Sequence, residues 1–212
     1  MIIVIEGADG SGKTTAALAL VERLKSSGYK AIYYREPGGT LIGEEIRRTL
    51  LTPRTEIMDP ITEIMLFFAS RRQGIADVIN HHHDSIVVMD RFAHSSYAYQ
   101  VHAGGVSKSI YNALLAAVTS DMKPVRLEFM LTVSPHVAAS RVTARGDKDR
   151  IESKSAEYQE RVMAGQMAAV EQSLWDVELV SGDGDPDSVV CHMYSRITAM
   201  DDVDDYLEVS ND

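Results

Sequence analysis

Cysteine is almost missing: Cys191 is the only thiol in 212 residues, so no intrachain disulfide can staple the fold. No Cys or His grouping has zinc-ligand spacing either, and a reducing, cytoplasmic setting is the expectation. Long apolar runs are also lacking. The longest cover 16–21, 64–69 and 113–118, far short of the roughly 20 residues that cross a bilayer, so a soluble chain with no membrane partner is expected. The opening MIIVIEGADG has no basic stretch ahead of its short apolar run and reads as a strand rather than a secretory signal. Positive charge is scarce, with 21 Lys and Arg against 31 Asp and Glu and a net charge of -10. That balance disfavours a nucleic-acid partner, because binding a phosphate backbone needs a surplus of basic residues.

Apolar surface is not scarce. At 45% hydrophobic and 25% charged, the chain has enough of it to offset the entropy of folding, and its length suits one domain. Residues 1–199 are expected to form that domain. Residues 200–212 hold six acids and no base, which reads as a solvated acidic tail.

Short runs rich in β-branched or large apolar residues at 2–6, 31–35, 86–90, 127–133 and 177–181 have the pattern of buried strands. Between them, apolar residues recur at helical spacing over 14–26, 43–51, 62–81, 108–119, 135–145 and 155–174, with a last helix at 185–200. Strands alternating with helices imply right-handed crossovers. The expected fold is α/β, a five-stranded parallel sheet flanked by helices on both faces in three layers. Such sheets bind ligands beyond the carboxyl ends of their strands. GADGSGKTT follows the first strand, REPGGT closes the second and DRF closes the third.

Gly7-Ala8-Asp9-Gly10-Ser11-Gly12-Lys13-Thr14 fits G-x-x-x-x-G-K-[ST] between a predicted strand and a predicted helix. Glycines let backbone N–H groups turn inward as an anion nest, and the helix points its positive dipole end at the same phosphates. Lys13 then neutralises β/γ oxygens, and Thr14 offers a hydroxyl to Mg²⁺. Asp90, at the end of an apolar strand, is placed to face that metal and its waters, with Arg91 pointing into the same cleft. ATP and Mg²⁺ are the expected cofactors, with Gly7, Ala8, Asp9, Gly10, Ser11, Gly12, Lys13, Thr14 and Thr15 in the ATP-binding set and Thr14 and Asp90 on the metal.

Beyond the phosphate loop, the chain carries GEEIRRTLL (43–51), TEIMLFFASRRQ (62–73), DRFAHSSYAYQ (90–100) and RGDKDRIES (145–153) in that order. With these motifs it resembles the thymidylate kinases, phosphate-loop enzymes that phosphorylate dTMP with ATP; the likeness runs from residue 3 to about residue 161. The resemblance implies that Phe67 stacks on thymine and Arg71 reads the base. One helix turn separates the two, which puts a stacking plate beside a donor. It implies phosphate clamping by Arg91 and Arg47, whose guanidinium forks suit phosphate oxygens. Asp9 would meet the sugar 3′-hydroxyl and metal waters, Ser96 thymine N3, Tyr99 the space a 2′-hydroxyl would need, and Gln100 the nucleoside edge. Glu36 and Pro37 complete the substrate-binding set.

Residues 141–154 resemble the family's mobile lid. Some members of the family carry a basic residue inside the phosphate loop; residues 8–11 here hold none. The resemblance therefore implies that the catalytic arginine comes from this lid, with Arg145 and Arg150 the first candidates and Arg141 the third, Arg141 also joining the expected ATP-binding set. The catalytic set is therefore Lys13, Arg91, Arg145, Arg150 and Asp9. The implied reaction is direct in-line phosphoryl transfer giving dTDP, with no covalent intermediate, in a homodimer for which the apolar helix from residue 62 offers a face. Rival readings are a kinase for another 5-substituted deoxyuridylate, such as 5-hydroxymethyl-dUMP, and a non-catalytic ATP-binding regulator. His94 stands where many members of the family have an acid, and Val125 replaces another. His81, His82 and His83 read as a solvated helix end, because consecutive helical side chains diverge too far to share a metal.

Overall fold

A computed structural model describes residues 1–146 and 148–207. Five strands, β1 (Ile2–Gly7), β2 (Ala31–Arg35), β3 (Ile86–Asp90), β4 (Leu127–Thr132) and β5 (Val177–Ser181), form one sheet in the order β2-β3-β1-β4-β5. Every neighbouring pair is parallel. Side chains alternate across the sheet, so both faces need cover. Ile3 and Ile5 of β1 join Val88 and Phe129 in one core, while Ile2 and Val4 join Val87 and Met89 in another.

Helices α1 (Lys13–Ser26) and α8 (Pro186–Thr198) pack together over the first core. On the other side lie α2 (Leu41–Leu51), α3 (Pro60–Asp77), α4 (Ala93–Ser96), α5 (Lys108–Thr119) and α7 (Ala156–Glu171). α6 (Pro135–Arg145) follows β4. This is the expected three-layer α/β/α arrangement.

Several boundaries differ from the sequence reading for local reasons. α3 begins at Pro60 rather than at 62, because Asp59 caps it by accepting from Ile61 N and Thr62 N, an arrangement suited to proline in the first turn. α2 begins two residues early under the Thr40 cap. Ile79–His81 form a separate 3₁₀ turn beyond α3, with His81 and His83 exposed.

The larger departure is α4 with the π-helical turn Tyr97–His102, a helical stretch with no apolar periodicity to announce it. Its start is capped from afar. The buried Glu6 carboxylate on β1 accepts from Phe92 N at 2.7 Å and Ser95 N at 2.9 Å, doing for a strand-to-helix turn what a local cap normally does.

The expected solvated tail is also corrected in part. Val203 and Tyr206 pack against the α1/α8 core, and Tyr29 bridges to Leu207. Residues 208–212 of that tail, and Asp147 in the expected lid, lie outside the described residues.

One close approach fixes how α3 sits on the sheet. A Cβ at Gly74 would lie 1.6 Å from the Tyr34 hydroxyl oxygen, which donates to the Gly38 carbonyl at 3.1 Å. Only the missing side chain lets the tyrosine through.

Candidate active site

Register brings the strand ends level. Asp90 pairs with Ile5 on one side and Arg35 on the other, so the turns after β1, β2 and β3 open one crevice. Its loop at 8–12 is closed by Ser11 N donating to the Ala8 carbonyl at 3.1 Å. Gly10 sits at φ +84°, and a Cβ there would lie 2.5 Å from the Ala138 carbonyl oxygen, so glycine is required. α1 starts with no side-chain cap and no acid in its first turn. Its free N–H groups and dipole make an anion seat.

Lys13 is buried beside this seat, its Nζ 3.2 Å from the Ala8 carbonyl and 3.5 Å from Asp9 Oδ1. Burial, and then the Arg91 charge, hold it below the ordinary lysine range. Asp9 also receives Arg91 Nη2 at 2.5 Å and the Tyr99 hydroxyl at 2.8 Å. Burial alone would raise this carboxyl. The Arg91 and Lys13 charges and the Tyr99 bond outweigh burial and hold it well below the usual carboxylate range.

Thr14 Oγ1 donates to Asp90 Oδ2 at 2.5 Å, and the Tyr33 hydroxyl to the same oxygen at 3.0 Å. Asp90 Oδ1 is buried without a partner. Arg91 adopts φ +73°, a left-handed backbone that non-glycine residues rarely take and that clusters at functional sites. Its side chain is braced by Ser95 Oγ at 2.8 Å.

Across the crevice, Arg71 is wholly enclosed. Its Nε donates to Glu36 Oε2 at 2.8 Å, and its Nη2 to the Phe92 carbonyl and Ser96 Oγ, both at 2.9 Å. The guanidinium lies over the rings of Phe68 and Phe92, at 4.7 Å and 5.0 Å. Burial raises Glu36, with Arg71 opposing. The Glu36–Pro37 peptide is cis, and Arg47 donates to the Pro37 carbonyl at 2.8 Å.

These residues line one cavity of about 400 Å³. It brings together Asp9, Lys13, Thr14, Glu36, Pro37, Arg47, Phe67, Arg71, Asp90, Arg91, Ser96, Tyr99, Gln100 and Arg145. Gly7, Ala8, Gly10, Ser11 and Gly12 form the adjoining loop, and Thr15 is exposed on α1. Arg141 braces that loop by donating to the carbonyls of Gly10 and Gly182.

The lid arginines part ways. Arg145 reaches the cavity, paired with Glu152. Arg150 turns to a neighbouring pocket, donating to the Leu50 carbonyl and, at 2.6 Å, to the buried Glu63, which also accepts from Gln100. Sequence reasoning missed Glu6, Tyr33, Glu63 and Ser95. A carboxylate inside the apolar run of β1 was the available signal for Glu6.

His94 faces away from the crevice. Its Nδ1 meets Glu128 Oε1 at 2.6 Å, and its ring stacks on Trp175 at 4.9 Å. Burial lowers its pKa, but the Glu128 hydrogen bond and charge prevail and raise it.

A hard divalent cation such as Mg²⁺ fits the donors. Thr14 and Asp90 offer oxygen, and among the described residues no group of three or more His, Cys, Asp or Glu forms a closed cage. Mg²⁺ prefers one or two carboxylates plus waters and substrate phosphates. Among the described residues, three of the six buried side-chain atoms without a partner belong to this cavity: Glu36 Oε1, Arg71 Nη1 and Asp90 Oδ1. Orphaned buried polar atoms are costly, so they mark where a polar ligand belongs.

Comparison with known proteins agrees with this geometry. The thymidylate kinase family model matches residues 5–181. A thymidylate kinase of Exiguobacterium sp. is 40% identical over 174 residues, covering 81% of this chain and 82% of its own. One from Pseudomonas fluorescens is 39% identical over 164 residues, covering 76% and 78%. One from Synechococcus sp. is 34% identical over 199 residues, covering 93% and 94%. With a match of that extent over a crevice so furnished, the chain belongs to the thymidylate kinase family of enzymes.

Proposed function

We propose that the protein phosphorylates dTMP to dTDP with ATP and Mg²⁺ by direct in-line transfer. The observation that carries this reading is the pair of unsatisfied ends in one cavity, Asp90 Oδ1 beside the loop and Arg71 Nη1 with Glu36 Oε1 across from it. Two polar ligands meeting there would satisfy both.

In this reading the loop amides, the α1 dipole and Lys13 hold the ATP tail. Thr14 and Asp90 would hold Mg²⁺, which when bound balances charge on the β- and γ-phosphates. Arg91 and Arg47 hold the dTMP phosphate, whose oxygen attacks the γ-phosphorus as the bond to the β–γ bridging oxygen breaks and ADP leaves. Phe67 supplies a plate for the base, and Arg71 Nη1 donates to a carbonyl oxygen. Cytosine would present a donor amino group there instead, a mismatch costing about 1–3 kcal/mol. Tyr99, held on Asp9, fills the space beside the sugar. Lid closure over 141–154 would bring Arg145 to the transferring group and exclude water. The reading includes a cytoplasmic enzyme and a homodimer, the latter supported by exposed Leu41 and Ile42 on α2 and Ile61 and Met65 on α3.

A coupled ADP-release assay across dTMP, 5-hydroxymethyl-dUMP, dUMP, dCMP, dGMP and thymidine tests it. ADP release that depends on dTMP and exceeds that with dCMP at least about tenfold is expected. Release without an acceptor, or none with any, would overturn it.

A further inference from the structure

We propose that a second cavity, behind the crevice, binds an amphipathic organic monoanion of the arylalkyl carboxylate kind. The cavity holds about 610 Å³ between α5, the segment from Phe92 to Tyr97 and the chain around Trp175. Its walls are aromatic and aliphatic: Tyr97 and Tyr111 meet edge to face at 5.7 Å, with Leu115, Met122 and Trp175 beside them. Pockets of this kind take ligands that bury an apolar body against such walls and fix it with a few polar groups.

The charge at its rim selects the polar end. Among the described residues no Asp or Glu lines the cavity, although the chain carries a net charge of -10. Lys108 and Lys123 do line it. Lys108 contacts the Gln172 side-chain oxygen and the Tyr97 ring, and Lys123 the His83 carbonyl. Neither forms an ion pair with a carboxylate among the described residues. His94, another wall residue, gives Nδ1 to Glu128, and among the described residues no hydrogen-bond partner meets its Nε2. Two uncompensated ammonium groups above an aromatic floor complement a carboxylate on an apolar body. Phe92 is a wall of both cavities, so the ligand would sit one side chain away from the crevice without entering it.

Trp175 is the sole tryptophan, so its fluorescence reads occupancy directly when excited at the red edge, where a phenyl probe is transparent. Titration with 4-phenylbutyrate should give a saturable change with a Kd of about 0.1–1 mM, as suits a ligand of about a dozen heavy atoms. The change should persist with dTMP and ADP both present. The chain-matched 4-phenylbutan-1-ol and 4-phenylbutylamine, which lack the carboxylate, should bind at least about fivefold more weakly. The double variant Lys108→Gln, Lys123→Gln should lose the preference for acid over alcohol while keeping the parent's melting temperature and turnover. Equal affinity for acid and alcohol, displacement by dTMP, or an undiminished preference in the double variant would each overturn the proposal.

Discussion

The Ser95 hydroxyl donates to the buried Glu6 carboxylate at 2.5 Å and in turn accepts from Arg91 Nη1 at 2.8 Å. A strand residue thereby aims the arginine that follows the next strand over, through one hydroxyl. Ser95→Ala removes the relay while leaving Glu6 its two backbone donors. We expect the KM for dTMP to rise about five- to tenfold, the equivalent of about 1 kcal/mol, as for loss of one ordinary hydrogen bond. Thermal melting should change little. Parallel dTMP titrations of parent and variant check this, and an unchanged KM would detach Ser95 from Arg91's task.

Asp90 combines an occupied oxygen and an empty one. Asp90→Asn keeps the shape and removes the charge, so turnover should fall about 10²-fold or more and the Mg²⁺ concentration for half-maximal rate should rise. Rate measured against Mg²⁺ separates the two effects. A variant with the parent's Mg²⁺ curve would remove Asp90 from the metal.

Arg71→Lys retains a charge but loses the fork that engages Glu36, Phe92 and Ser96 together. The expected result is a fall of about 10- to 100-fold in kcat/KM for dTMP, with a narrowed ratio of dTMP to dCMP. Competition between the two nucleotides measures that ratio directly.

The lid arginines should separate by readout. Arg145 is half exposed, with 56% of its side chain accessible, so Arg145→Ala should lower kcat about tenfold or more with no loss of stability. Arg150 is held by Leu50 and Glu63, and Arg150→Ala leaves a buried carboxylate less satisfied. It should cost about 1–3 kcal/mol in urea unfolding. The reverse pattern would exchange their roles.

The His94–Glu128 pair should tilt stability with pH. Both groups titrate higher in the folded state than usual, His94 because Glu128 outweighs burial and Glu128 because burial dominates. The folded chain thus binds more protons than the unfolded one, and stability contributed by His94 is complete below about pH 6.5 and lost as pH rises through its raised folded value. Melting temperature in the parent should fall over that range relative to His94→Gln. Parallel curves would mean the pair does not titrate there.

The sheet and the phosphate loop were readable because their signals are local. β-branched runs mark the strands, and glycines at fixed spacing before Lys13 mark the loop. The resemblance then supplied the expected roles of Phe67 and Arg71 from motifs rather than from physics, whereas Arg91 was already pointed to by its place after β3. α4 escaped because its cap comes from Glu6, 86 residues before Phe92. Tyr33 escaped because an aromatic in a strand looks like core, and only the register beside β3 sets its hydroxyl on Asp90. Val203 and Tyr206 were hidden by the acids around them, whose charge says nothing about two apolar side chains that find the α1/α8 core.

Where Tyr34 slides past Gly74, a vacancy the size of one methyl governs the tilt of α3, and Arg71 rides that helix a single turn earlier. Enlarging residue 74 would act as a lever: a side chain there would have to displace Tyr34 or lift the helix, and lifting it would carry the guanidinium away from Phe92 and Ser96. Damage at this remote spot would therefore reach the cavity and the fold together, because Tyr34 and Ile75 share one buried cluster on that side of the sheet.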